Sequence, residues 1–249
     1  MIIELPALGP SPDAPFPPAR HALAEPEGLL AMGGDLHPTR LLNAYRHGIF
    51  PWYSEGEPIL WWCPDPRVVF RTETFRLSSR FRRDLRRSAW AIRADTAFAD
   101  VLAACADTPR RGQDGTWITP HMREAYIALH RLGHAHSIEV FDRDEPGGRL
   151  VGGLYGVAIG QMFFGESMFS LASGGSKVAF GALAHRLREW GWPLIDGQVE
   201  NPHLISLGAE RWSRPRFLGD VRRLTERPGS TGPWTEAFEG LTASYLARG

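Results

Sequence analysis

Apolar positions along the first half of the chain recur at helical spacing in several short stretches. Leu41, Leu42 and Tyr45 share one face behind Pro38, and Gly48 stands where a glycine stops a helix, so a helix of about three turns is expected there. Before it, Pro6 to Pro26 is proline-dense and aperiodic, an extended arm whose order has to come from docking. After it, Ile49 to Phe70 carries Trp52, Trp61 and Trp62 among Pro51, Pro58, Pro64 and Pro66 and reads as a rigid aromatic loop region. Ser78 is an N-cap for a helix with Phe81 and Leu85 on one side and arginines on the other. Asp95 is expected to cap a second helix carrying Phe98, Val101, Leu102 and Cys105. Thr119-Pro120 opens a third with Met122, Tyr126 and Leu129, ended by Gly133.

Past residue 135 the period changes. Ser137 to Phe141, Leu150 to Ile159 and Gln161 to Phe169 are β-branched and aromatic runs divided by Gly and Asp turn signals, the pattern of an antiparallel meander. A helix is expected from about Ser176 to Trp190, a strand over Trp192 to Val199 and a short helix from Asn201 to Leu207. This sequence of elements gives an α+β fold. Pro228 to Pro233 reads as a linker, and Trp234, Phe238, Leu241 and Tyr245 as a final amphipathic stripe.

Composition narrows the function. The 249 residues are 43% hydrophobic and 22% charged with no formal net charge, an ordinary globular balance. No apolar run reaches the ~18 residues of a membrane span and the N-terminus lacks a leader pattern, so a cytoplasmic protein is expected. Cys63 and Cys105 have neither C-x-x-C nor zinc spacing, which argues against redox or metal chemistry. His130, His134 and His136 do not share a helix face, because Gly133 ends the helix first; no metal site is expected.

On a strand, residues two apart share a face, so Asp196 and Gln198 in W-P-L-I-D-G-Q are expected to point the same way. A carboxylate there is either a solvated strand end or a positioned acid-base group. In Q-M-F-F-G-E-S-M-F-S, Met162, Phe164, Glu166 and Met168 alternate onto one face, which sets a second carboxylate in an apolar pocket; a bulge at Gly165 would reassign those faces. The glycines of S-G-G-S-K, ending at Lys177, precede a helix and either cradle an anion or form a turn.

Between Arg71 and Arg87 seven arginines face two acids, Glu73 and Asp84. Such a surface suits phosphates, or is a solvated helix in a chain whose only lysine is Lys177. Arg80, Arg82, Arg83, Arg86, Arg87 and Lys177 are the phosphate-contact candidates. Trp52 and Trp117 sit in loop contexts, where an indole stacks on a base or plugs a seam.

The ordered segments G-L-L-A-M-G-G-D-L, A-Y-R-H-G-I-F-P-W-Y, W-W-C-P-D-P-R, G-T-W-I-T-P, G-H-A-H-S-I-E-V, L-V-G-G-L-Y-G-V, F-F-G-E-S-M-F-S, S-K and L-I-D-G-Q-V together resemble the leucyl/phenylalanyl-tRNA-protein transferase family. The resemblance runs from about Gly28 to Leu218. It implies a small N-terminal domain, here residues 1–70, and a larger domain related to the N-acyltransferase (GNAT) fold with a mixed, mainly antiparallel sheet, here 71–227. Residues 228–249 are then a linker and C-terminal helix. It further implies transfer of Leu or Phe, and less readily Met, from aminoacyl-tRNA to proteins beginning with Arg or Lys, marking them for N-degron proteolysis, with no cofactor; a monomer is expected.

Onto the family's catalytic positions fall Asp196, Gln198 and Glu166. Trp52, Trp117, Tyr45 and Tyr126 fall near the 3′ end of the tRNA, and Leu154, Phe163, Phe164, Met168 and Ile195 are the expected aminoacyl pocket. Asp196 is expected to orient the acceptor amine, Gln198 to align Asp196 or the carbonyl through its amide, and Glu166 to anchor the polar end of the aminoacyl group. The chain departs from the family at Leu171, where an arginine is frequent, and at Gly197, where the pattern is Asp-Cys-Gln. Two rivals remain: an acyltransferase using an acyl-coenzyme A, for which S-G-G-S-K is a poor pyrophosphate loop, and a tRNA-binding module without catalysis.

Overall fold

The computed structural model describes residues 5–108, 116–144, 147–230 and 232–248. Its strands fall into two sheets. The smaller takes β1 (Ala7–Leu8), β2 (Leu29–Gly33), β3 (Phe50–Pro51) and β4 (Leu60–Trp62) in the order β1-β2-β4-β3, with helix α1 (Pro38–Arg46) between β2 and β3 in the chain. The larger takes β5 (Arg67–Arg71), β6 (Ala91–Ala94), β7 (Ala135–Phe141), β8 (Leu150–Ile159), β9 (Met162–Ser170), β10 (Leu194–Gln198) and β11 (Glu210–Trp212) in the order β11-β5-β10-β9-β8-β7-β6. Within it only β9 and β10 run parallel, so the sheet is mixed and mainly antiparallel. The helices are α2 (Ser79–Leu85), α3 (Phe98–Asp107), α4 (Pro120–Arg131), α5 (Gly175–Glu189), α6 (Pro202–Ser206), α7 (Arg214–Thr225) and α8 (Ala243–Leu246).

Strand alternation sends neighbouring side chains into two different cores. Tyr155, Phe164 and Leu194 face the first, which also holds Trp61 from the small sheet and apolar residues of α1, α3, α4 and α7. Leu154, Phe163 and Ile195 face the second, roofed by α5 and by the segment after Pro233. The N-terminal arm docks on the first core: Phe16 packs edge-on against Trp61 at 4.9 Å. The buried Arg40 donates to the carbonyls of Gly9 and Ser11 at 2.8 and 2.6 Å, which pins the arm to α1.

The expected α1, α2, α4 and α5 form, as do strands matching β7 to β10, with boundaries shifted by a residue or two. Pro38 and Pro120 occupy the first turns of α1 and α4, and Ser78 and Thr119 accept from Phe81 and Met122 N–H as N-caps. Several expectations need correction. The stretch from Ile49 to Phe70 is not all loop, since it supplies β3, β4 and most of β5. The expected division at residue 70 falls inside β5, which pairs with β10 and β11 in the larger sheet. Asp95 does not cap α3. It adopts φ +58 and turns its carboxylate to His136, Ser137 N–H and Trp234 N–H, while Glu139 receives the Thr96 and Ala97 N–H groups at the start of α3.

The C-terminal stripe is not one helix. It is a 3-10 turn at Glu236–Phe238, a break at Gly240 and the short α8. Its Trp234, Phe238 and Leu241 are buried against this same chain while Tyr245 is exposed. Leu241 and Ala243 also exchange backbone hydrogen bonds with Ile92 and Trp90, so the segment closes the β6 edge of the sheet.

Candidate active site

The last turn of α1 delivers Tyr45, α4 delivers Tyr126, and both phenols converge on Glu166 of β9. Tyr45 donates to Glu166 Oε1 at 2.7 Å, Tyr126 to Oε2 at 2.8 Å, and Gln198 Nε2 to Oε1 at 2.8 Å. Both tyrosines are fully buried, whereas Glu166 and Gln198 remain partly open to solvent. Phe164 and Tyr155 wall the cluster, at 5.2 Å from Tyr45 and 5.5 Å from Tyr126.

Burial raises Glu166 to about 7; the Tyr45 and Tyr126 donors oppose the rise, the Asp196 charge adds to it and Gln198 opposes it. Burial, followed by the Glu166 charge, holds both phenols well above their ordinary value, so they stay protonated. The two hydroxyls also contact each other. Two phenols own two protons, but three oxygen-to-oxygen contacts need three. A proton on Glu166 completes the triangle, so the cluster is built to take one up.

Glu166 reaches this face because of a bulge. The register pairs Gly156 with Gly165 and Tyr155 with Ser167, leaving Glu166 as the extra residue. The same bulge corrects the expected alternation, for Met168 is thrown onto the other side, where it pairs with Leu154. Of the expected pocket, Leu154, Phe163, Met168 and Ile195 therefore lie in or against the second core, under α5, and only Phe164 stands beside the cluster.

Asp196 and Gln198 are not related by simple pleating either. The ladder with β5 shifts between them and Gln198 takes a left-handed φ of +59, while its N–H donates to Asp196 Oδ1 at 2.8 Å. Asp196 is fully buried. Arg67 grips it with Nε on Oδ1 at 2.8 Å and Nη2 on Oδ2 at 2.6 Å, so both oxygens of the carboxylate expected to orient the acceptor are taken by the chain's own donors. Arg67 is absent from the sequence-derived set because nothing local distinguishes one arginine in W-W-C-P-D-P-R within an arginine-rich chain. Only the pairing of β5 with β10 brings the two together.

Trp52 and Trp117 are half-buried at the margin of the first core, Trp52 packed 5.6 Å from Trp62 and accepting its indole N–H at the backbone carbonyl. On α2 and just past its end, Arg80, Arg83, Arg86 and Arg87 are exposed and none makes an ion pair among the described residues; Arg82 is half-buried. Lys177, on the first turn of α5, lies 5.9 Å over the Phe81 ring of α2, which joins it to that basic surface. No helix among the described residues is long and apolar enough to cross a membrane.

Comparison with known proteins gives concordant matches. The family model described as leucyl/phenylalanyl-tRNA protein transferase matches residues 69–222, and that described as its N-terminal domain matches residues 34–65. A leucyl/phenylalanyl-tRNA-protein transferase of Xanthomonas euvesicatoria pv. vesicatoria (strain 85-10) is 69% identical over 242 residues, spanning 96% of this chain and 94% of the relative. One of Xylella fastidiosa (strain 9a5c) is 62% identical over 231 residues, 93% of each chain. Among solved structures, FemX aligns with a TM-score of 0.45 at 12% identity over 70% of this chain and 66% of that one. L-PGS from Bacillus licheniformis aligns with 0.37 at 15% over 72% and 67%.

Proposed function

Because the chain belongs to the leucyl/phenylalanyl-tRNA protein transferase family, we propose that it moves Leu or Phe from aminoacyl-tRNA onto the N-terminus of an acceptor protein, and that the Glu166 cluster handles the proton. The acceptors are proteins beginning with Arg or Lys, the products feed N-degron proteolysis, and the enzyme works as a cytoplasmic monomer. The half-buried carboxylate held by two phenols and an amide carries this reading.

An aminoacyl ester is already activated, so the enzyme has mainly to hold an amine against the carbonyl and move a proton. In the reaction a C–N bond forms, the ester C–O bond breaks, and the proton lost by the amine ends on the departing ribose oxygen. A free α-ammonium has a pKa of about 7.7 to 8. The ammonium first loses one proton to solvent; a carboxyl raised to about 7 can then accept the second as the C–N bond forms and return it to the departing ribose oxygen. Tyr45, Tyr126 and Gln198 hold that carboxyl in place. Asp196, with both oxygens engaged, does not reach the amine. Phe164 and Tyr155, both fully buried, form the apolar backing of the cluster beside which the Leu or Phe side chain is held. Trp52 and Trp117 are available to stack on the terminal adenosine.

The test is transfer itself. Purified protein with radiolabelled Leu-tRNA labels a peptide beginning with Arg and not its Ala counterpart, and RNase abolishes the label. Labelling of both peptides alike removes the acceptor rule, and label without tRNA from leucyl-coenzyme A removes the donor.

The basic surface of α2 serves the tRNA backbone in this scheme. Replacing Arg80, Arg83 and Arg87 together by alanine is expected to flatten the dependence of log K on log salt by about 2 to 3, since each phosphate contact contributes roughly 0.7 to 0.9. Filter binding of Leu-tRNA across a salt series measures it; an unchanged slope makes these arginines a merely solvated face.

A further inference from the structure

Resting on the reading of Glu166 as the proton-handling group, we infer that Arg67 is a positioning residue for transfer, acting through Asp196 to aim the Gln198 amide at Glu166. Its guanidinium is fully buried and held on every side. Phe50 and Phe217 cover its two faces at 4.7 and 4.6 Å, the Gly48 carbonyl accepts Nη1 at 3.1 Å, and Asp196 takes the other two donors at 2.8 and 2.6 Å. A planar fork clamped in this way leaves Asp196 one orientation.

That orientation is transmitted onward. Asp196 Oδ1 accepts the Gln198 N–H at 2.8 Å, and Gln198 is one of two non-glycine residues with a left-handed backbone among those described. Such a conformation persists only where the surroundings over-determine it. Here the register shifts between Asp196 and Gln198; Gln198 still pairs with Val68, and the Asp196 carboxylate adds a second hold by taking its N–H. The left-handed turn swings the side chain so that Nε2 reaches Glu166 Oε1 at 2.8 Å. Arg67 thus ties the turn after α1, through Gly48, and α7, through Phe217, to the placement of one amide in the active site. A lysine cannot reproduce the clamp, because it has neither the planar fork nor the two ring faces.

A double-mutant cycle with Gln198 tests this, using Leu-tRNA and an acceptor peptide beginning with Arg. Arg67→Met is expected to lower kcat by about 100-fold, the scale of a misplacement on the order of 1 Å. KM for Leu-tRNA stays within about threefold, because no tRNA contact is removed. In the Gln198→Ala background the same substitution is expected to cost less than about threefold, since the amide it aims is gone. Where Arg67→Met does not fold, Arg67→Lys keeps the buried charge; it is expected to lose on the order of tenfold in kcat, again with no further loss beside Gln198→Ala.

Equal fold-losses in the presence and absence of Gln198, or a loss confined to KM, would overturn the assignment and leave Arg67 a core ion pair. Failure of the transferase reading looks different, because the wild-type protein then transfers nothing.

Discussion

Glu166→Gln is expected to cut leucyl transfer by two to four orders of magnitude while the fold and tRNA binding persist. Glutamine has nearly the same shape and accepts from one phenol at its oxygen while its NH2 donates to the other, but it cannot take the proton of the attacking amine. The pH profile carries the sharper test. Glu166 works as the carboxylate, so wild-type activity rises as pH increases through about 7, whereas the residual activity of the variant follows the acceptor amine nearer pH 8.

Stability moves in the opposite sense. The folded pKa lies above the ordinary carboxyl value of 4.5, so the native state holds the extra proton between that value and about 7. This contribution is complete below the lower value and is lost as pH climbs through the upper one. The variant is therefore expected to gain in relative thermal stability from pH 5 to pH 8. A variant with wild-type turnover, or with an unmoved ascending limb, removes Glu166 from the chemistry.

The second large effect is structural. Helix α5 sits on β8 backbone to backbone: a Cβ added at Gly152 would lie 2.4 Å from the Gly175 carbonyl carbon and 2.5 Å from its Cα. No rotamer relieves such a clash, since both partners are main chain. Gly152→Ala has to lift the helix off the sheet and is expected to cost about 3 kcal/mol or more, the upper end for an overpacked core. Gly219→Ala, on α7 with nothing within 4 Å of the added methyl, is the matched control and is expected to be neutral or slightly stabilising. Urea unfolding of the two variants gives the comparison; equal midpoints would mean that α5 has room to slide.

The helices and strands that announced themselves did so through local chemistry. Pro38, Ser78 and Thr119 sit at helix starts and Gly48 just beyond α1, and the β-branched runs of β7 to β9 lie between turn residues, so periodicity and punctuation agree. Helix α7 carried an equal signal in Pro215 with Phe217, Val221 and Leu224, and it went unread. Strands β3, β4 and β5 were hidden by tryptophan and proline. They are short, and their pairing is set by distant partners rather than by alternation.

At the site, Glu166, Tyr45, Tyr126 and Gln198 were legible as candidates, but their geometry was not. Two register slips, at Glu166 and before Gln198, decide which face each side chain takes, and a period-2 reading carries no sign of a slip. The slip at Glu166 is why Met168 comes to lie with Leu154, Phe163 and Ile195 under α5, and the burial of Asp196 beside Arg67 is a tertiary fact that spacing does not carry.

The place of β5 in the larger sheet also fixes when the enzyme can exist. Its neighbours are β10 and β11, and Arg67 precedes Asp196 by 129 residues. At roughly 5 to 20 residues per second that gap is on the order of ten seconds, during which Val68, Val69 and Phe70 have been made with no strand to pair with. A nascent chain therefore carries a sticky, unmatched segment for most of its elongation and needs shelter for it. Any fragment that stops short of β10 lacks both Asp196 and the amide that completes the Glu166 cluster. Catalytic competence thus arrives late, after nearly all the aminoacyl-tRNA needed to build the protein has been spent.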